Sequence, residues 1–209
     1  MELYLDQVRP IEKTVAIFTP GMDDLFGFNS FTSREPGWSK DNKLRQDFDK
    51  AESMGIAKVF EYNWSGNILD YFKAEDDFIV FLQERYEFAK KWGADSITIS
   101  VHSAGNALSY KAINTLTEWM KRDEIEMKIN IVGMGSPAAE SGKAFSLITN
   151  ETKGQFRNFW SPFDFISRPT ASNPDSQMIL SGHGGYFNNF DVIQADLSIA
   201  IGRDVTIGY

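Results

Sequence analysis

Side chains able to do covalent chemistry are scarce in this sequence. It has only two histidines, His102 and His183, and no cysteine, so thiolate catalysis, thiolate metal sites and disulfides are excluded. What it offers instead is a serine in a tight setting, Ser100-Val101-His102-Ser103-Ala104-Gly105-Asn106. A serine hydroxyl attacks a carbonyl only when a base within hydrogen-bond reach takes its proton and a third group orients that base. His102 adjoins Ser103, and neighbouring side chains at a sharp turn point apart, so His102 cannot readily serve. If the site is a Ser-His-acid triad, His183 is the only base left. The glycines on both sides of it, Gly182 and Gly184, open loop conformations that other residues avoid. For the acid, Asp164, Asp175 and Asp191 are all open by residue type.

These residues need elements to position them. Ser96–Val101 is a short β-branched run, and Ala104–Lys121 carries Leu108, Ala112, Thr115, Leu116 and Trp119 along one helical stripe. Ser103 therefore falls on a strand-to-helix junction. There its hydroxyl would stand clear of the sheet while the helix N-terminus faces a developing oxyanion. Gly105 meets the need for a small neighbour two residues on, and the Ala104 N–H is placed to donate. The plain alternative is a serine that caps the helix.

The rest of the chain repeats the strand-helix alternation. Strands are expected at Thr14–Thr19, Lys58–Trp64, Ile129–Gly133, Gln155–Trp160 and Gln177–Leu180. Helices are expected at Asp41–Met54, Ile68–Trp92 (Phe72, Ile79, Leu82, Tyr86 and Ala89 in one stripe, Gly93 as stop) and about Asn188–Ile201, where Ile193, Leu197 and Ile201 recur every fourth residue. Such alternation implies crossover connections and an α/β fold. We expect one domain over residues 1–209, with about six mostly parallel strands and helices on both faces. Met22–Lys40 and Arg168–Ser176 read as loops.

On these segments the chain resembles the α/β-hydrolase superfamily, its lipases and esterases above all. Val101-His102-Ser103-Ala104-Gly105 looks like the elbow G-x-S-x-G, with Val101 where the pattern has glycine; small residues on adjacent strands must accommodate it. Ile131–Ala138 (IVGMGSPA) resembles the segment that follows the elbow helix in many lipases. Phe156–Pro169 is similar to the one that supplies the triad acid, which implies Asp164 for that role. Gly182-His183-Gly184 falls where the family has its base, and the order Ser103, Asp164, His183 is the superfamily's. By the same correspondence Met22 N–H is the second oxyanion donor beside Ala104, with Pro20 where many relatives carry His. The resemblance spans roughly Val15–Phe187 and implies a serine esterase or lipase. Phe26, Phe28 and Phe31, just beyond Met22, would border the acyl chain of a lipid or phospholipid ester, touch a lipid surface transiently, or simply pack on one another.

Composition narrows the partners. Lys and Arg total 21 against 29 Asp and Glu, and no dense basic cluster exists, so nucleic acid is not an expected ligand. Asp23-Asp24 and Asp76-Asp77 have no histidine nearby and read as solvated charge; no metal is expected. Gly133-Met134-Gly135 lacks the spacing and lysine of a phosphate loop, so no cofactor is expected. The N-terminus has no apolar signal core, which makes the cytoplasm the default, with export lacking such a signal left open. A protein inhibitor, as would accompany a lipase delivered into another cell, has no residue here to support it. Amidase, thioesterase or peptidase activity on the same triad, or an inactive binding module on the same fold, are the competing readings.

Overall fold

A computed structural model describes residues 3–5, 11–19, 43–62, 71–136, 139–164, 167–172, 175–182 and 185–207. In chain order these form β1 (Leu3–Leu5), β2 (Thr14–Thr19), α1 (Lys43–Ser53), β3 (Ala57–Glu61), α2 (Tyr71–Trp92), β4 (Ser96–His102) and α3 (Gly105–Arg122). There follow β5 (Lys128–Met134), α4 (Ala139–Glu151), β6 (Phe156–Trp160), β7 (Ser176–Met178), α5 (Phe190–Ala200) and β8 (Val205–Ile207).

Strands β2 to β7 make one six-stranded sheet in the order β3-β2-β4-β5-β6-β7, and every adjacent pair is parallel. Chain order runs outward from β2 in both directions, so helices cover both faces. One face packs Phe78, Leu82 and Tyr86 of α2, Leu108 and Leu116 of α3, and Phe145 of α4 on Val15, Ile17, Ile97, Ile99 and Ile131. The other packs Leu44 and Phe48 of α1 and Val192, Ile193 and Leu197 of α5 on Ala16, Phe18, Val132 and Met134. This is the α/β class expected, with the six strands all parallel. Parallel pairing forces helical crossovers, and those bury both faces.

Local chemistry explains most boundaries. Gly93 ends α2 at φ 68°, a left-handed conformation in which Ala94 N–H can donate to Ala89 O at 3.0 Å. Asn189 caps α5, its side chain accepting from Asp191 N–H at 3.0 Å and Val192 N–H at 3.4 Å.

Four expectations need correction. Phe72 does not join the buried stripe of α2 but stands 78% exposed. Leu82, Tyr86 and Ala89 are buried as expected, and the stripe is completed by Ala74 and Phe78 rather than by Phe72 and Ile79. In α3, Thr115 and Trp119 are only half-buried, the inner face being completed by Ile113 and Met120. Helix α4 was not expected. Arg168–Ser176 is no plain loop, since Arg168–Ser172 forms a 3-10 turn and Ser176 opens β7. In addition, β1 and β8 form a separate antiparallel pair that joins the two ends of the chain. Expected residues 20–42, with Met22, Phe26, Phe28 and Phe31, lie outside the described residues, as does His183.

Candidate active site

Strand β4 and helix α3 meet at Ser103, and the junction is strained. Ser103 has φ 50°, a left-handed conformation uncommon for any residue but glycine and asparagine. Three hydrogen bonds hold it there. The Ser103 N–H donates to Met134 O at the end of β5 (2.9 Å), while Ser103 O accepts from Asn106 N–H (3.1 Å) and from Asn106 Nδ2 (3.0 Å). Asn106 Nδ2 also reaches Val101 O at 3.3 Å, so one buried amide ties both arms of the turn.

Val101 is fully buried near the end of β4. In register it lies between Thr19 of β2 and Gly133 of β5. A Cβ at Gly133 would meet Asn106 Oδ1 at 3.0 Å and Asn158 Oδ1 at 3.1 Å, tight enough that one must shift. The missing side chain at Gly133 therefore leaves room for the amide that ties the turn. Gly133 is a small neighbour of the kind the sequence requires, and Asn106 is a positioning residue that sequence reading passed over.

Helix capping does not account for Ser103. The position that opens α3 is Ala104, with φ −61°, and it has no side-chain cap. Among the described residues no acceptor lies on the Ala104 N–H, while its carbonyl already accepts from Ala107 and Leu108 N–H at 3.1 Å. A donor at a helix start that is not spent on the fold is what an oxyanion requires.

Asp164 sits just beyond the carboxyl end of β6, two strands from Ser103 and at the same end of the sheet. It is 2% exposed. Its Oδ2 accepts from Tyr186 Oη at 2.8 Å, and Tyr186 also bonds Ser167 Oγ at 3.0 Å. Ser167 Oγ in turn donates to Asp164 O at 3.1 Å, closing a small buried network. Burial and the adjacent Asp164 carboxylate push the Tyr186 phenol well above its ordinary range, with Ser167 opposing, so the hydroxyl keeps its proton and donates.

The described residues on either side of position 183 are tethered to the loop of Asp164. Before it, Ser181 N–H donates to Ser161 Oγ at 3.2 Å, an oxygen that also accepts from Phe163 N–H at 3.2 Å. After it, Tyr186 reaches Asp164. Gly185 N–H donates to Gly182 O at 3.0 Å, which ties together the chain on either side of residues 183 and 184. His102 is packed inward, 8% exposed, its ring centroid 4.9 Å from that of Phe187 and 6.0 Å from that of Tyr186. Ser103, Asp164 and the flanks of His183 are thus joined through His102 and Tyr186. Asp175 and Asp191 are not in this network. Asp175 lies in the turn before β7 with φ 56°, and Asp191 is in the first turn of α5.

Among the described residues no group of three or more His, Asp or Glu side chains could hold a metal ion, and no helix is long and apolar enough to cross a membrane. Asp76 pairs with Lys111 at 3.0 Å on the surface.

No family model and no curated protein sequence matches the chain. Its structure is similar to the crystal structure of an α/β serine hydrolase without a lid from Xanthomonas campestris, with a TM-score of 0.47 and 15% identity over 94% of this chain and 84% of that one. At that distance the likeness carries no functional inference.

Proposed function

We propose that this protein is a serine hydrolase that cleaves carboxylic esters through Ser103, His183 and Asp164. The observation that carries the reading is the left-handed φ of Ser103 at a turn locked by Met134 O and Asn106. Strain of that kind costs on the order of 1–3 kcal/mol and persists where the surroundings over-determine it, most often at functional sites.

In the reaction, His183 takes the Ser103 proton as Oγ attacks the ester carbonyl. Asp164 holds the imidazole in the right tautomer and stabilises the imidazolium. The Ala104 N–H, with that of Met22, receives the oxyanion. His183 then protonates the leaving alcohol, and water releases the acid from Ser103 by the same route in reverse. Activity should need the neutral imidazole of His183 and so be lost in acid.

For the substrate we propose lipid or phospholipid acyl esters, with Phe26, Phe28 and Phe31 bordering the chain. Burying one such ring against an acyl chain is worth roughly 1.5–3 kcal/mol, or about ten- to a hundredfold in selectivity. A panel of acetate and longer esters, amides and thioesters tests this in wild type and in a variant with all three rings replaced by Ser. Hydrolysis of long-chain esters should fall far more than that of acetate esters. An unchanged ratio in a folded variant contradicts the lipid preference, and faster turnover of amides or thioesters contradicts the ester assignment.

A further inference from the structure

Helix α5 places an acid where the mechanism has no use for one. Asp196 is 0% exposed, and Ser100 Oγ bonds its Oδ2 at 2.7 Å. Its Oδ1 is buried with no hydrogen-bond partner. Ser100 lies on β4 between Phe18 of β2 and Val132 of β5, so the surroundings are apolar. Nearby contacts between α5 and the sheet are ordinary. Ser96 Oγ and Asn130 Nδ2 donate to the carbonyls of Ala200 and Ile199 at 3.4 and 3.2 Å. Only at Ser100 does the helix answer with a carboxyl.

The elements packed on α5 bring charges of their own. Helix α1 carries Lys43, Arg45, Asp47, Asp49, Lys50 and Glu52, of which Asp47 is buried and bonded by Lys50; β4 has His102, β5 has Lys128 at its far end, and the turn before α5 has Tyr186. Arg203 follows the helix. None of them governs Asp196. Burial pushes its carboxyl up from the ordinary 3.8 to about 7, and the Ser100 hydrogen bond opposes.

We propose that Asp196 is a proton-dependent positioning residue: neutral, it lets α5 clamp onto β4 around Ser100, three residues before Ser103; ionised, it leaves a buried charge with Ser100 Oγ as its one hydrogen-bond partner among the described residues, and the seam beside the turn that holds Ser103 loosens. The link to Ser103 reactivity rests on the hydrolase reading; the clamp itself does not. The folded value lies above the unfolded one, so the folded chain holds the extra proton between about 4 and about 7. Stability therefore falls as pH rises across that window and levels off above it.

Thermal unfolding of wild type, Asp196→Asn and Ser100→Ala from pH 4 to 9 tests the clamp. The Asn variant's advantage in Tm should grow by roughly 5 °C between pH 5 and 8. In Ser100→Ala the window should move to higher pH, because the bond that favours the ionised form is gone. Should the Asn variant not fold, that displacement decides the matter alone. Parallel Tm curves, or no displacement, overturn the proposal. The rate of fluorophosphonate labelling at Ser103 tests the positioning. Above pH 7 the wild-type rate should drop while the Asn variant's stays level, and superimposed profiles would reduce Asp196 to a structural acid. If no protein labels at all, the hydrolase reading fails while the Tm curves still judge the clamp.

Discussion

Strand β4 has two buried faces made of opposite materials. Towards α2 and α3 it presents Ile97, Ile99 and Val101, all 0% exposed. Towards α5 it presents Ser96, Thr98, Ser100 and His102, none more than 8% exposed. Alternation of this kind ordinarily marks a strand with one wet face; here both faces are dry. The apolar face is held by area and packing, which are non-directional and spread over many neighbours. The polar face holds only if each group finds a partner in the right direction, because an orphaned buried donor or acceptor costs about 1–3 kcal/mol. Asn130 Nδ2 bonds Thr98 Oγ1 at 3.2 Å, and Thr14 Oγ1 lies 2.9 Å from Thr98 Oγ1. The polar face ends at His102, next to Ser103; the His102 ring packs on Phe187 and Tyr186, and Tyr186 in turn donates to Asp164. One side of the strand is held by packing and the other by directed bonds, and it is the second that ends beside Ser103.

Substitutions should separate these roles. The largest effect belongs to the proposed base. His183→Ala should lower kcat by about 10⁴–10⁶, while His102→Ala, which loses a packed ring, should keep far more activity in a folded protein. Equal losses by steady-state assay would erase the distinction between the two histidines. Asp164→Asn should follow at roughly 10⁴ in kcat with the fold retained by circular dichroism. If Asp175→Asn or Asp191→Asn shows that loss instead, Asp164 is not the catalytic acid. Truncating the other face should do the reverse. Ile99→Ala should cost about 2–5 kcal/mol in urea unfolding and leave kcat little changed in the fraction still folded. The smallest effect is Tyr186→Phe, which removes one donor to Asp164 Oδ2 and should cost about 1 kcal/mol of stability and at most about tenfold in kcat.

Much of this was legible in the sequence. The six parallel strands follow from short β-branched runs separated by helical ones, and the strand-to-helix junction at Ser103 from the switch in period between Val101 and Gly105. The elements that escaped are those whose signals are weak or non-local. Helix α4 (Ala139–Glu151) is built from serine, glycine, threonine and asparagine as much as from good helix formers, and is held by tertiary packing of Phe145 and Ile148. Strands β1 and β8 are three residues each and exist only because the chain ends meet. Phe72 was misplaced because it shares a spacing of seven with Ile79, whereas the buried stripe steps by four from Ala74. In the site, Tyr186 reaches an acid 22 residues earlier, and Asn106 works only because Gly133 leaves it space. Asp196 looks like a solvated charge in sequence, although its neighbours at one helical turn, Val192 and Ala200, are both buried.

The reactivity of Ser103 is the point on which the functional reading turns. Incubating the folded protein with a fluorophosphonate probe and mapping the adduct by mass spectrometry measures it directly. Wild type should carry one adduct, on Ser103, and Ser103→Ala none. An adduct on another serine, or no adduct on a protein whose circular dichroism shows it folded, would contradict the assignment of Ser103 as nucleophile and with it the hydrolase.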